Sequence, residues 1–165
     1  MVDAVTLRYV YGYDALISQF VASLIPHCRR GFGECRTIGV IDEQDRLIAG
    51  MVYHNYDPEA EIIEMSGAAT TAHWLQRGMV GRMHQYPFHQ CGCQMVAMRI
   101  PAENERLLRQ LAVYGYNFML FPRLFGRERD GVIATLTVED WAANKFNKRL
   151  KHHLVDAPID VEEAA

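Results

Sequence analysis

Between residues 60 and 100 the chain reads AEIIEMS, then WLQRGMVGRMHQYPF, then QMVAMRI. The outer two segments are short, apolar runs of strand length. The middle one carries Trp74, Leu75, Met79, Val80 and Met83 on a helical stripe that Pro87 should end. A strand that returns to a second strand through a helix makes a parallel pair with a right-handed crossover. Just before it, Arg36–Ile41 and Leu47–Tyr56 are β-prone runs joined by the polar turn DEQD, the pattern of an antiparallel hairpin. A sheet that opens with a hairpin and continues through a crossover cannot be doubly wound. It must be mixed.

The remaining segments fit that frame. Val5–Val10 alternates as a first strand. Asp14 is placed to cap a helix carrying Leu16, Ile17, Phe20, Val21 and Leu24, with Pro26 as its stop. HCRRGFGEC (27–35) lacks periodicity and reads as a loop, and the segment from Gly67 to Thr71 reads as small and flexible. Asn104–Tyr114 is a second long helix, with Leu107, Leu108 and Leu111 as its apolar face and Gly115 as its left-handed stop. Asn117–Leu124 and Val132–Val138 form a last hairpin across GRERDG. A closing helix from about Glu139 to Leu154 offers Trp141, Phe146, Leu150 and Leu154 for packing. The order β-α-β-β-β-α-β-α-β-β-α predicts an α/β (α+β) domain with a mixed, mostly antiparallel twisted sheet flanked by helices. Residues 1–140 form the expected domain, followed by a basic helix and acidic tail over 141–165.

Length and composition allow one such core. The chain has 165 residues, half of them hydrophobic and 22% charged, which favours a globular fold over disorder. A net charge of −3 gives no ground to expect a protein that coats nucleic acid. Lys145, Lys148, Arg149 and Lys151 read as a solvated helix face. No basic start precedes a long apolar block, and no apolar run nears the roughly 20 residues a spanning helix needs. The expectation is a cytoplasmic protein without membrane contact. Four cysteines in a chain of this size do not make a disulfide framework. His84, His89, Cys91 and Cys93 are ligand types, but they lack paired C-x-x-C spacing and a second cluster. No metal is expected.

The segment RIPAENERLLRQLAVYGYNF, followed by the terminal hairpin, resembles the GCN5-related N-acetyltransferase (GNAT) superfamily of acyl-CoA-dependent acyltransferases. The resemblance covers roughly residues 5–138, and the stretch from Trp74 to Phe88 looks like phage-associated members. It implies acetyl-CoA as co-substrate, entering as a pseudo-strand where the strand before the middle helix splays from the next. The pyrophosphate would rest on helix-start amides, which suit an anion. QRGMVG (76–81) is similar to the family's Gln/Arg-x-x-Gly-x-Gly/Ala signature through Gln76 and Gly81, with Gly78 between them and Met79 in place of the middle glycine. The alternative cradle is GAATTAH (67–73), with Gly67 and the hydroxyls of Thr70 and Thr71. Met65 to Gly67 would supply a carbonyl-polarising amide, and Asn104 matches an asparagine that contacts the cofactor or caps its helix.

The same resemblance implies an amine acceptor, small molecule or protein, and admits a homodimer. Glu64 is the candidate base, because some members use a glutamate on this strand. His54 is its candidate assistant. Strand alternation puts Ile62, Glu64 and Ser66 on one face. The family's tyrosine acid stands four residues before the helix-ending glycine, where this chain has Leu111. Tyr114, three positions on, points about 60° away from that direction and reads as a buried helix-end aromatic. The implied activity is acetyl transfer to an amine by direct attack. The alternative is a catalytically silent phage or prophage accessory protein, or a virion component, acting through binding.

Overall fold

In the computed structural model, which describes residues 6–147, seven strands form one sheet in the order β1-β2-β3-β4-β5-β7-β6. The strands are β1 (Arg8–Val10), β2 (Cys35–Ile41), β3 (Leu47–Asp57), β4 (Ile62–Ala69), β5 (Met95–Pro101), β6 (Asn117–Phe121) and β7 (Gly131–Thr137). Every pairing is antiparallel except β4 with β5. That one parallel pair is joined by the crossover expected between residues 60 and 100. Its helix is α2 (Arg77–Gln85), and the other helices are α1 (Asp14–Leu24), α3 (Glu105–Tyr114) and α4 (Val138–Ala143).

The two faces of the sheet carry separate cores. Ile17 and Val21 of α1 bury against Val52 of β3 on one face. On the other face, Met79 and Met83 of α2 and Leu111 and Tyr114 of α3 pack with Met51, Tyr53, Met65, Val96 and Leu136. Full burial of each such side chain contributes roughly 1.5–3 kcal/mol. Tyr53 crosses this core to donate its hydroxyl hydrogen to the carbonyl of Met83 at 2.7 Å, so the one polar atom it buries is satisfied.

Several local expectations need correction. Asp14 does not cap α1. Tyr13 holds the cap position, and the Asp14 carboxylate instead accepts from the Thr37 amide and hydroxyl, each at 2.8 Å, tying the helix to β2. The middle helix neither starts at Trp74 nor is ended by Pro87. Trp74 closes a short 3₁₀ turn over Ala72–Trp74, Gln76 caps α2, and Pro87 lies inside a wide π turn, Tyr86–Gln90, rather than after the helix. Proline needs no amide partner at that early position of the turn. Gly67 to Ala69 are not a flexible link but the last residues of β4, paired with β3 as far as Ala49 and Ala69. The closing helix breaks at Asn144, whose amide bonds the Trp141 carbonyl. Val5, Lys148, Arg149, Leu150, Lys151 and Leu154 lie outside the described residues.

Two other expectations stand, at Gly115 and Trp141. Gly115 caps α3 at φ +112, a left-handed conformation open to a residue without Cβ. Trp141 is buried in the same core as α2 and α3. Among the described residues no helix is long and apolar enough to cross a membrane.

Candidate active site

Strand β4 is paired on its β3 side along its whole length, from Ile62 to Ala69. On its β5 side the pairing covers only Ile62–Met95, Ile63–Val96 and Glu64–Ala97. Beyond that point β5 continues to Pro101 in full register with β7. The two central strands therefore part inside the sheet. Met65–Ala69 and Met98–Pro101 present backbone edges to one another without a shared ladder. Unpaired amides and carbonyls of this kind are satisfied by water or by an extended ligand that adds itself as a strand. The opening needs no special loop. It follows from two strands that keep their outer partners while diverging from each other.

The crossover supplies a second feature, the start of α2, where a Cβ on Gly78 would lie 3.1 Å from the Tyr9 hydroxyl of β1. Seven residues separate the end of β4 from the start of α2. The amides of Arg77, Gly78 and Met79 belong to the first turn, where an α-helix has no acceptor of its own. The helix dipole adds partial positive charge there, and no acidic residue occupies that turn. Arg77 and Gly78 are exposed, whereas Gly81 is buried in the helix body. Of the two sequence cradles, QRGMVG is thus the one that begins a helix, although only Gln76 of it stays outside. GAATTAH is otherwise employed. The Thr70 amide and hydroxyl both donate to the Ile48 carbonyl, and the Thr71 oxygen caps the 3₁₀ turn by accepting from the His73 amide. Thr70 and Thr71 also line a cavity of about 560 Å³ with Asp42, Arg46, Ile48 and His73. Glu64 and His54 are not among its lining residues.

Gly67 sits within the opening. A Cβ there would lie 2.7 Å from the Met51 methyl carbon, so the glycine lets β4 lie close over that methionine. Met65 is its neighbour on the same core-facing side and is fully buried. Asn104 caps α3 by accepting from the Leu107 amide at 3.4 Å, and its side chain is exposed.

At the closed end of the opening, on the face covered by α1, three polar side chains meet. His54 on β3 stands directly opposite Glu64 on β4. The Glu64 Oε2 is 3.9 Å from His54 Nδ1, and the Ser66 Oγ is 2.9 Å from His54 Nε2. Only 8% of His54 is exposed. Phe32, from the loop after α1, packs on its ring at 4.9 Å. Burial pushes the imidazole below its ordinary value. The Glu64 carboxylate opposes that shift and the Arg99 guanidinium adds to it. In the neutral ring one nitrogen donates and the other accepts, and a proton on Nδ1, the nitrogen facing the carboxylate, leaves Nε2 open to accept from the serine. His54 thus stands between a hydroxyl and a carboxylate, one at each ring nitrogen.

The tyrosine at the end of α3 belongs elsewhere. Tyr114 is 8% exposed and stacks among His84, Tyr116 and Phe146. Its hydroxyl accepts from the indole of Trp141 at 3.2 Å, and its carbonyl accepts from the Asn144 side chain. Burial pushes its hydroxyl up to about 12. It packs in the core, as expected of a helix-end aromatic, and Leu111, four residues before Gly115, is buried in the same core.

The ligand-type residues of HQYPFHQCGC also scatter into packing. His84 is buried between the Val80 carbonyl and the Tyr116 hydroxyl, and burial raises the Cys93 thiol to about 11. Among the described residues no group of three or more His, Cys, Asp or Glu side chains converges on one point.

Sequence reasoning reached Glu64, His54 and the alternation that includes Ser66, but not their contact. That contact depends on the β3–β4 register, which a bulge between His54 and Asp57 sets, with Asn55 at φ +50. Phe32 and Arg77 carried no signal beyond a loop and a helix start.

No protein-family model matches the sequence, and no curated protein matches it. Solved structures do match its fold. Mutant forms of a spermidine/spermine N-acetyltransferase from Vibrio cholerae align with TM-score 0.67 at 14% identity, over 84% of this chain and 98% of that one. The same enzyme in complex with manganese ions aligns with TM-score 0.61 at 16% identity, over 90% and 96%. A protein with only the provisional name of acetyltransferase aligns with TM-score 0.68 at 15% identity, over 90% and 93%. At these identities the likeness establishes the architecture: this chain has the N-acetyltransferase fold.

Proposed function

We propose that this chain transfers an acyl group, acetyl in the simplest case, from acyl-CoA to an amine. The observation that carries the reading is the parting of β4 from β5, with a helix start free of acidic residues at the end of the connection that leaves β4, and with buried His54 facing half-buried Glu64 at the closed end. A pantetheine arm is thin and rich in amides, so it suits a gap edged by unpaired backbone. A pyrophosphate suits the amides of Arg77, Gly78 and Met79, with Gln76 at their cap and Gly81 buried in the helix body behind them. Thr70 and Thr71 lie in the connection from β4 to α2, and Asn104 caps α3 just after β5. The fold's solved relatives include enzymes named for spermidine and spermine, and a small amine fits the same acceptor class. A protein amine is the other member of that class.

The chemistry asked of the side chains is modest. An amine held against the thioester carbonyl gains most of its rate from placement. An amide from Met65 to Gly67 would polarise the carbonyl oxygen as charge builds on it. Glu64 takes the proton of the attacking amine, directly or through water, and His54 shares the charge that results. CoA thiolate leaves without strong acid assistance, so the absence of a tyrosine at the Leu111 position is tolerable.

Acetyl-CoA binding tests the reading. Millimolar acetyl-CoA should raise the melting temperature of the protein. Arg77→Glu, which suits the helix dipole yet sets a carboxylate at the pyrophosphate position, should remove that rise while leaving the unliganded melting temperature in place. A protein indifferent to acetyl-CoA does not have this function.

A further inference from the structure

The contact between Ser66 and His54 has no part in direct attack by an amine. Ser66 is half-buried, on the same sheet face as Glu64, two residues past the last β4–β5 pair. Its Oγ lies 2.9 Å from His54 Nε2, and the Glu64 Oε2 approaches the other ring nitrogen at 3.9 Å. Hydroxyl, imidazole and carboxylate thus stand in sequence across two neighbouring strands. This is the order of nucleophile, base and orienting acid in a serine acyl-transfer relay, which is recognised by geometry and role rather than by fold. The ring tautomer sets the direction of the relay: with the proton on Nδ1, toward the Glu64 carboxylate, Ser66 donates to Nε2 and its oxygen gains nucleophilic character. Catalytic contacts are often long before substrate binds, and the carboxylate contact is the long one here.

We propose that Ser66 is an acyl acceptor, so that the site cleaves acyl thioesters and activated esters when no amine is present. Ser66 Oγ forms a bond to the acyl carbon, the carbon–sulfur bond breaks, and its electron pair leaves on the thiolate. The serine proton passes to His54 Nε2 and then to the departing sulfur. Water next attacks the serine ester and gives a proton to His54, which returns it to Ser66 Oγ as the ester carbon–oxygen bond breaks. The balance is acyl thioester plus water giving carboxylic acid plus thiol. The unpaired amides of β4 beyond Glu64 border the point where the carbonyl oxygen would develop charge.

With acyl-CoA as donor, this step rests on the acyl-CoA site proposed above, so the decisive probe is one that needs no CoA. p-Nitrophenyl acetate incubated with the full chain should release a burst of nitrophenol equal to the protein present. Acid quenching and peptide mapping should then find one acetyl group as an ester on Ser66. Ser66→Ala should lose both burst and label, and His54→Gln should slow the burst by roughly 10²-fold. Circular dichroism verifies that each variant is folded. Label on a cysteine or lysine of the wild-type protein, with none on Ser66, overturns the proposal without any variant. So does a burst that Ser66→Ala retains. Acetyl-CoA binding followed separately by thermal shift keeps the two readings apart: its loss refutes the acyl-CoA site, while absence of Ser66 acetylation refutes the relay.

Discussion

Two buried histidines, each touching a hydroxyl group, have opposite characters in this molecule. His84 of α2 is 1% exposed, with the Val80 carbonyl at 2.8 Å on Nδ1 and the Tyr116 hydroxyl at 2.6 Å on Nε2. Both ring nitrogens are satisfied by neutral partners, and aromatic rings from Phe88, Tyr114 and Tyr116 enclose it. Burial lowers it to about 4. His54 has a serine in place of the tyrosine and a carboxylate in place of the carbonyl. It lies under a loop residue at the closed end of an opening in the sheet, not in the middle of a core. A histidine between neutral partners is locked in one charge state and serves packing. A histidine beside a carboxylate can take up a proton during a reaction and return it. Burial lowers both rings, and at His54 alone a carboxylate opposes that shift.

The strongest challenge to this contrast is Glu64→Gln. Removing the carboxylate should lower turnover by about 10²–10⁴-fold while leaving acetyl-CoA affinity nearly unchanged. A change in affinity alone would reduce Glu64 to a positioning residue. The same pair sets a pH profile. Burial favours the neutral form of His54, so activity should hold at neutral pH and fall on acidification, with a midpoint below the ordinary 6.5. Initial rates across pH would show it.

His84 should act on stability instead. Its folded value lies below its unfolded one, so the unfolded chain binds the extra proton between pH 6.5 and 4. The stability it confers is complete above 6.5 and is lost as pH falls toward 4, by roughly 3 kcal/mol for this group. Denaturant titrations at several pH values would measure the loss, and His84→Gln should flatten that part of the curve.

The smallest expected effect belongs to Tyr114. Tyr114→Phe leaves the Trp141 indole without its acceptor and should cost about 1 kcal/mol of stability. Turnover should not change, because the hydroxyl faces α4 and not the opening. A large kinetic defect would mean that Tyr114 reaches the reaction after all.

Much of this architecture was legible from local pattern. The crossover between residues 60 and 100, the hairpins on either side and the stop at Gly115 all rest on periodicity and turn chemistry, and the sheet follows from them. The start of α2 was less legible, because Trp74 and Leu75 continue a helical stripe that the 3₁₀ turn interrupts. Gly67 misled in the opposite sense, since a small residue chosen for contact with Met51 looks the same in sequence as a flexible link. Glu64 and His54 were visible as separate candidates on adjacent strands. Their meeting with Ser66 was not, because one step of β3–β4 register would have turned each side chain to the other face.

The central claim is that acyl-CoA lies between β4 and β5 with its pyrophosphate at the start of α2. Amide chemical shifts recorded during an acetyl-CoA titration test it directly. The account predicts the largest changes at Met65–Ala69, at Ile100 and its neighbours on β5, and at Arg77–Met79. Changes centred on the cavity of Asp42, Arg46 and His73, or no changes at millimolar ligand, would contradict it.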